Sequence, residues 1–230
     1  MLYASVGNAG ASSYLAVMAL FGFSAQGMKS TALTLNILVA GIAAYKFYRA
    51  GCLSWRLLAP FAITSIPFAY LGGSILMPEH VYEPVVSLVL LFAAWRLFRL
   101  QNANSAAPVS HPAPLWAALG AGAGIGLLAG LTGIGGGIFL GPVLLLADWA
   151  EARQAAGAAA IFNLINSIAG FAGHLQVINN LPNAIPMWAI AAGLGGWIGA
   201  EYGSRRLASR RLQQILATIL VLAAFRMLLF

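Results

Sequence analysis

A cluster of four glycines could bind an anion through backbone N–H groups. Residues Thr132–Gly137 read Thr-Gly-Ile-Gly-Gly-Gly and interrupt a long apolar run, and Pro142 follows five residues later. Each glycine inside a helix costs about 1 kcal/mol relative to alanine, so the cluster predicts a break rather than continuous helix. Glycine also lets several N–H groups point towards one place, and the N-terminus of a following helix favours negative charge. The cluster therefore predicts a cradle for a compact oxyanion, with a packing kink as the alternative.

A weaker copy of this cluster lies near the N-terminus. The segment Gly7–Ser13 reads Gly-Asn-Ala-Gly-Ala-Ser-Ser. Paired breaks in apolar helices are typical of transporters, which bind substrate where the broken helices meet. The predicted substrate-binding residues are Thr132, Gly133, Gly135, Gly136 and Gly137 in the cluster and Gly7, Asn8, Gly10, Ser12 and Ser13 in the opposing wall.

Polar side chains follow one stripe of a later apolar segment. Asn163, Asn166 and Ser167 are spaced by three and four residues, and Asn36 is the matching residue in the first half. A buried amide in lipid must be hydrogen-bonded. These residues therefore either pair with another helix or line the substrate path. His174 ends the same segment and is interpreted as an interfacial histidine or as a proton-coupling group, because histidine titrates near neutral pH.

The composition indicates a protein whose main solvent is lipid. Hydrophobic residues make up 61% of the 230 residues and charged residues only 7%, whereas soluble domains average about 25% charged. The net charge of +7 does not indicate nucleic-acid binding, because the basic residues are dispersed at the ends of apolar runs. A single cysteine, Cys52, excludes an internal disulfide and a cysteine metal site. We expect no metal and no cofactor.

An enzymatic function is not expected. Ser12 or Ser13 with His174 could imitate an intramembrane serine protease dyad, but a Gly-x-Ser-Gly element is missing. No phosphate-binding loop of the ATPase type is present either.

Nine apolar segments are predicted as helices of an all-α, polytopic membrane protein. They are Ala11–Phe23, Thr31–Phe47, Leu57–Met77, Tyr82–Phe98, Leu115–Leu131, Ile138–Leu146, Ala155–Gly173, Ile185–Tyr202 and Leu212–Leu229. The predicted domains are a first membrane repeat over 1–100, a polar linker over 101–114 and a second repeat over 115–230.

The two halves are predicted to be repeats of opposite membrane orientation. Four short stretches match in the same order, including Leu35–Leu38 with Phe162–Ile165 and Leu71–Gly73 with Leu194–Gly196. In the first half, basic residues follow the second and fourth segments, whereas in the second half they follow the eighth, which matches the third. Basic residues mark the cytoplasmic side, so matching loops lie on opposite sides of the membrane, which favours inverted halves. The fifth segment has no partner, which predicts that a leading helix of the first half is missing or truncated.

The chain resembles the TauE/SafE sulfite exporter family, also called the toluene sulfonate uptake permeases. The resemblance rests on Gly130–Pro142, which is similar to the family's glycine-rich motif before a proline, and on Ser5–Ala16 as its divergent copy. It implies a multi-pass permease of the bacterial inner membrane. It also implies secondary, proton-coupled movement of sulfur-containing anions such as sulfite or organosulfonates.

The expected partners are therefore a small anionic substrate and the lipid bilayer, with a homo-oligomer left open and no nucleic acid. Two alternatives remain at this point. In one, the chain is a membrane scaffold or assembly subunit whose glycine breaks serve helix packing only. In the other, it is an ion channel.

Overall fold

The computed structural model describes residue 4, residues 9–100, 111–175 and 184–205, and residues 218–225 except 219 and 223. Eight helices follow one another in these ranges: α1 (Ala11–Leu20), α2 (Ala25–Arg49), α3 (Trp55–Ser74), α4 (Glu79–Leu100), α5 (Leu115–Thr132), α6 (Gly137–Leu146), α7 (Ala152–Gly173) and α8 (Ile185–Arg205). The described parts of 218–225 are helical too. Since no strand occurs in the described ranges, the predicted all-helical class is confirmed.

Local capping explains where the helices begin and end. The first eight predicted segments coincide with α1 to α8, but α2 begins six residues earlier than predicted. Ser24 precedes α2 and its hydroxyl accepts a hydrogen bond from Gly27 N at 3.4 Å, which caps the helix start. α5 ends where Gly133 adopts a left-handed φ of 80° and donates its N–H to Ala129 O at 2.9 Å. The ninth segment and the linker lie mostly outside the described residues, and the domain boundaries stay a prediction.

Within the described ranges, four helices are long and apolar enough to cross a bilayer. They are Gly27–Arg49 in α2, Trp55–Ser74 in α3, Leu115–Thr132 in α5 and Arg153–Gly173 in α7. Large apolar side chains on the outside of the described fold are mostly uncovered: Ile63 and Ile190 are each 66% exposed and Leu88 is 65% exposed. Such a surface is stable in hydrocarbon and not in water, so the chain is a multi-pass membrane protein.

The closest helix packing joins α3 and α5 through small residues. Three glycines of α5, spaced four residues apart, lie directly on the α3 backbone: Gly122 on Phe61, Gly126 on Ser65 and Gly130 on Ala69. A Cβ atom at any of them would overlap α3. Small residues at this spacing let helix backbones approach closely in lipid, and these three glycines do so here.

α2 and α7 run in opposite directions and bring their polar residues together in the middle of the fold. Cys52, just after α2, packs against Gly157 near the start of α7. At the opposite end, Lys29 of α2 and His174 after α7 both reach Gly73 O. The two helices are therefore antiparallel and cross near their centres, where Asn36 meets Asn163.

Candidate functional site

Both predicted breaks are present as glycines in left-handed conformation that precede short helices. Gly10 has φ 93° and precedes α1, while Gly136 has φ 84° and precedes α6. Gly133 and Gly135 also have positive φ, at 80° and 79°. Side chains strongly disfavour this region, so glycine is required for the chain to turn here. Each left-handed glycine thus starts a ten-residue helix, and the second break also ends α5.

The two helix starts meet at one small cavity of about 10 Å³. It is lined by Ala9, Gly10, Ala11, Ser12, Ile134, Ile138 and Asn163. The first N–H groups of a helix have no acceptor within the helix, and its N-terminus carries a partial positive charge. The first turns of α1 and α6 both line this cavity, so the partial positive charges of two helix N-termini lie close to it. The space is about what one water molecule needs.

A buried cluster of two asparagines and a serine lies beside the cavity. Asn36 Nδ2 donates to Ser167 Oγ at 2.7 Å and to Ile134 O at 3.3 Å, and it lies 3.2 Å from Asn163 Oδ1. Ser167 Oγ donates to Asn163 O at 2.7 Å within α7. The cluster joins α2, α7 and the second break, so both interpretations of the stripe have support: the residues pair between helices, and Asn163 also lines the cavity.

The amide of Asn163 contacts both breaks at once. Turning it by 180° exchanges its oxygen and nitrogen. Nδ2 then donates to Gly135 O at 3.0 Å, and Oδ1 accepts from Ala9 N–H at 3.0 Å. In either orientation Asn163 is 1% exposed and lies between the two helix starts.

The glycines of the second break are held tightly by their neighbours. A Cβ atom on Gly135 would overlap the side chains of Asn36, Asn163 and Ser167. One on Gly136 would come within 3.0 Å of Phe162 Cε1. The lack of a side chain at these positions therefore determines how close the break approaches α2 and α7.

The remaining predicted residues lie at different distances from this centre. Gly137 is the first, buried residue of α6, and Ser13 donates its N–H to Gly10 O at 2.9 Å in the first turn of α1. Thr132 points away, since its hydroxyl donates to Leu128 O at 2.7 Å and its carbonyl accepts from Tyr82 Oη at 3.1 Å. Gly7 and Asn8 lie outside the described residues.

Two other predicted residues are buried away from the cavity lining. Both polar atoms of the Asn166 side chain lack a hydrogen-bond partner among the described residues, although the residue is fully buried. His174 is 3% exposed and lies at the end of α7 with its Nδ1 3.2 Å from Gly73 O.

Comparison with known proteins agrees with this architecture. The family model described as "Sulfite exporter TauE/SafE" matches residues 1–227. The chain belongs to the TauE/SafE family. It is also 45% identical over 230 residues to "Probable membrane transporter protein y4hK" of Sinorhizobium fredii (strain NBRC 101917 / NGR234), covering 99% of this chain and 93% of that protein. No solved structure matches the chain significantly.

TauE/SafE membership and the relative's name support a membrane transporter, in agreement with the predicted class. The glycine-rich segment on which the resemblance rests is the one that forms the second break in this TauE/SafE chain. The cavity, the paired asparagines and the two helix starts thus lie within the membrane part of a transporter family member.

Sequence reasoning missed Lys29 in this TauE/SafE chain. Its side chain is 4% exposed, and its Nζ donates to three carbonyls at the end of α3: Gly72 O and Ile75 O at 3.1 Å and Gly73 O at 3.0 Å. Its backbone and the start of its side chain lie against Gly133 of the second break. In the sequence Lys29 lies just before the predicted segment Thr31–Phe47, so only the fold shows it to be buried among the helices.

A second lysine of α2 marks the other end of the helix. Lys46 forms a salt bridge with Glu201 of α8 and lies 4.0 Å from the ring centroid of Trp197. The side chains of Lys46 and Glu201 are 17% and 38% exposed. This pair therefore joins α2 to α8 near a membrane boundary and not at the central cavity.

Proposed function

We propose that the protein is a secondary transporter of small sulfur-containing oxyanions, such as sulfite or organosulfonates, in a bacterial inner membrane. The observation that carries the proposal is that the first turns of two helices, at Gly10 of α1 and Ile138 of α6, line one cavity together with Asn163. The family description supplies the substrate class.

The chemistry of this site suits an oxyanion. An anion that leaves water must exchange its hydration for other donors, and the N–H groups at helix starts can supply them without a full charge. The Asn163 amide and the Ser12 hydroxyl add side-chain groups at the same place. A substrate with several oxygens around one sulfur could accept from both helix starts at once.

The observed cavity is too small for such a substrate, which points to a closed state. A sulfur atom with its oxygens is larger than the one water molecule that about 10 Å³ accommodates. The two halves must therefore move apart during the cycle. We propose that they rock as inverted repeats, alternately opening the cavity to each side.

The helix directions support inverted repeats. The matching helices α2 and α7 are antiparallel. α8 runs parallel to α2, because Gly196 packs on Val39 and Glu201 pairs with Lys46 further along both helices. α3 follows α2 in the reverse direction, so it is antiparallel to its own counterpart α8. Repeats of opposite membrane orientation require each helix to be antiparallel to its counterpart, as α2 is to α7 and α3 is to α8.

Proton coupling is part of the proposal and depends on His174. The residue is buried between the end of α7 and the end of α3, where a change in its protonation would change the contact with Gly73 O. Coupling predicts that a pH gradient drives the accumulation of sulfite against the sulfite concentration gradient. It also predicts that His174→Gln removes this drive and leaves downhill flux.

Reconstitution in proteoliposomes tests the function. Purified protein should take up sulfite with saturation, and Gly136→Leu should abolish uptake because it fills the second break. Gly124→Leu is the matched control, since Gly124 lies in α5 with open space around it. Absence of flux in the wild type would favour the scaffold alternative, and flux that does not saturate would favour a channel.

A further inference from the structure

We infer that the Lys29 ammonium is the fixed counter-charge that attracts the transported anion towards the central cavity. This inference rests on the proposed function and extends it by naming the group that selects the sign of the substrate's charge. It concerns a residue of α2 that lies outside the predicted anion cradle. Its basis is the burial of Lys29, its hydrogen bonds and its contact with the second break.

The hydrogen bonds of Lys29 are those of a protonated amine. An ammonium group has three N–H donors and no acceptor. Lys29 Nζ has three carbonyl oxygens within 3.0–3.1 Å, one for each donor. These carbonyls belong to the last turn and the C-cap of α3, where backbone oxygens lack partners within the helix and the helix end carries a partial negative charge.

These partners hold the ammonium but do not neutralise it. Carbonyl dipoles have no net charge, and none of the carboxylates whose side chains are described lies within 4.0 Å of Lys29 Nζ. Lys46, at the other end of the same helix, is by contrast paired with Glu201. Lys29 therefore contributes a positive charge that is buried in the protein near the start of α2, where low polarity leaves charges poorly screened.

The position of Lys29 connects this charge to the predicted anion site. A Cβ atom on Gly133 would lie 3.2 Å from Lys29 O and 3.4 Å from Lys29 Cγ, so the lysine packs on the second break itself. Asn36 follows Lys29 by seven residues on α2, which corresponds to about 10 Å along the helix axis. An anion beside Asn163 would therefore be within reach of the field of Lys29 without contacting it.

His174 is the other buried basic side chain among the described residues, and it shares a carbonyl with Lys29. Gly73 O accepts from Lys29 Nζ at 3.0 Å and lies 3.2 Å from His174 Nδ1, while His174 Nε2 has no partner in the described part of the chain. Any positive charge on His174 would add to that of Lys29. The two basic side chains therefore meet at the end of α3.

Three substitutions at one position separate charge from packing. Lys29→Met keeps the length of the side chain and removes the charge, Lys29→Gln keeps N–H donors for the α3 carbonyls without charge, and Lys29→Arg keeps the charge. Lys46→Met is the matched control on the same helix. Each variant is purified, checked for folding by its elution and thermal unfolding, and reconstituted for sulfite uptake over a range of concentrations.

The charge hypothesis predicts a specific pattern. Two unit charges about 10 Å apart at the effective dielectric of a protein interior change affinity by roughly tenfold, so the Met and Gln variants should lower the ratio of turnover to KM by about that factor. Lys29→Arg and Lys46→Met should stay within about threefold of the wild type.

Other outcomes overturn the inference. Unchanged uptake in folded Lys29→Met or Lys29→Gln contradicts it, as does an equal loss in the Arg variant. If neither uncharged variant elutes as folded protein, Lys29 is a structural cap of α3 and nothing more. Failure of the proposed function is distinguishable, because in that case the wild-type protein itself moves no sulfite.

Discussion

The terminal amide atoms of Asn36 and Asn163 lie 3.2 Å apart, where α2 and α7 cross. The two residues occupy matching positions in the two halves of the sequence, so a repeat predicted from four short stretches brings its own equivalent side chains into contact. Asn163 also reaches both glycine breaks. This one pair therefore links the centres of both halves to the central cavity.

Replacing Asn163 with aspartate should imitate a bound substrate. The new carboxylate would lie between two helix N-termini, where negative charge is stabilised by about 0.3–2 kcal/mol. We expect the thermal unfolding midpoint of Asn163→Asp to stay the same or rise, while sulfite uptake is lost because the site is already filled. Uptake in proteoliposomes and thermal unfolding in detergent measure the two effects.

The control for this prediction is Asn166→Asp, one turn further along α7. Asn166 is equally buried but does not line the cavity, so a charge there should destabilise the protein. If the two aspartate variants lose stability to the same extent, the cavity has no preference for anions.

Gly135→Ala should abolish transport and destabilise the fold. The methyl group adds left-handed backbone strain of about 1–2 kcal/mol and also overlaps the side chains of Asn36 and Asn163. Gly51→Ala measures the backbone strain without the steric overlap, since Gly51 has φ 69° but a Cβ atom there would have nothing within 4 Å. Equal changes in unfolding temperature for both variants would mean that the contact with the asparagines has no energetic importance.

Gly126→Leu should separate α3 from α5. The side chain would meet the Ser65 backbone, which cannot move away as a flexible side chain could, and overpacking of this kind costs about 1–3 kcal/mol or more. Gly124→Leu, two residues earlier on the open face of α5, should leave the unfolding temperature nearly unchanged. Comparable loss in both variants would contradict the close packing of α3 and α5.

The salt bridge between Lys46 and Glu201 should contribute little to stability. Both side chains are partly exposed, and pairs of this kind contribute about 0.2–1 kcal/mol. A double-mutant cycle with Lys46→Met and Glu201→Gln isolates the coupling from the other contacts of each residue. A coupling energy of several kcal/mol would instead make this pair a principal connection between α2 and α8.

Helices and breaks were predictable from the sequence because apolar length and glycine act locally. The expected starts of α5 and α6 differ from the structure by no more than one residue, and the glycine cluster lies where the helix breaks. The match of Asn36 to Asn163 was also visible as a repeat. Local patterns cannot, however, give the distance between two helices, so the 3.2 Å contact between Asn36 and Asn163 could not be predicted without the three-dimensional structure.

Thr132 and Lys29 show what local reasoning missed. Thr132 belongs to the motif by position, but its hydroxyl bonds to the preceding turn of α5, as threonine in a helix often does. Lys29 lies 103 residues before Thr132 and approaches the break only because α2 is antiparallel to α3 and α7. Its three carbonyl partners follow it by more than 40 residues in sequence.

The contact between α3 and α5 has a mechanical consequence. Two backbones in contact over about two helical turns cannot slide past each other, so α3 and α5 move as one unit. α3 belongs to the first half of the sequence, whereas α5 follows the linker. Any movement of α3 must therefore carry α5 with it, and the boundary between moving parts does not fall at the linker.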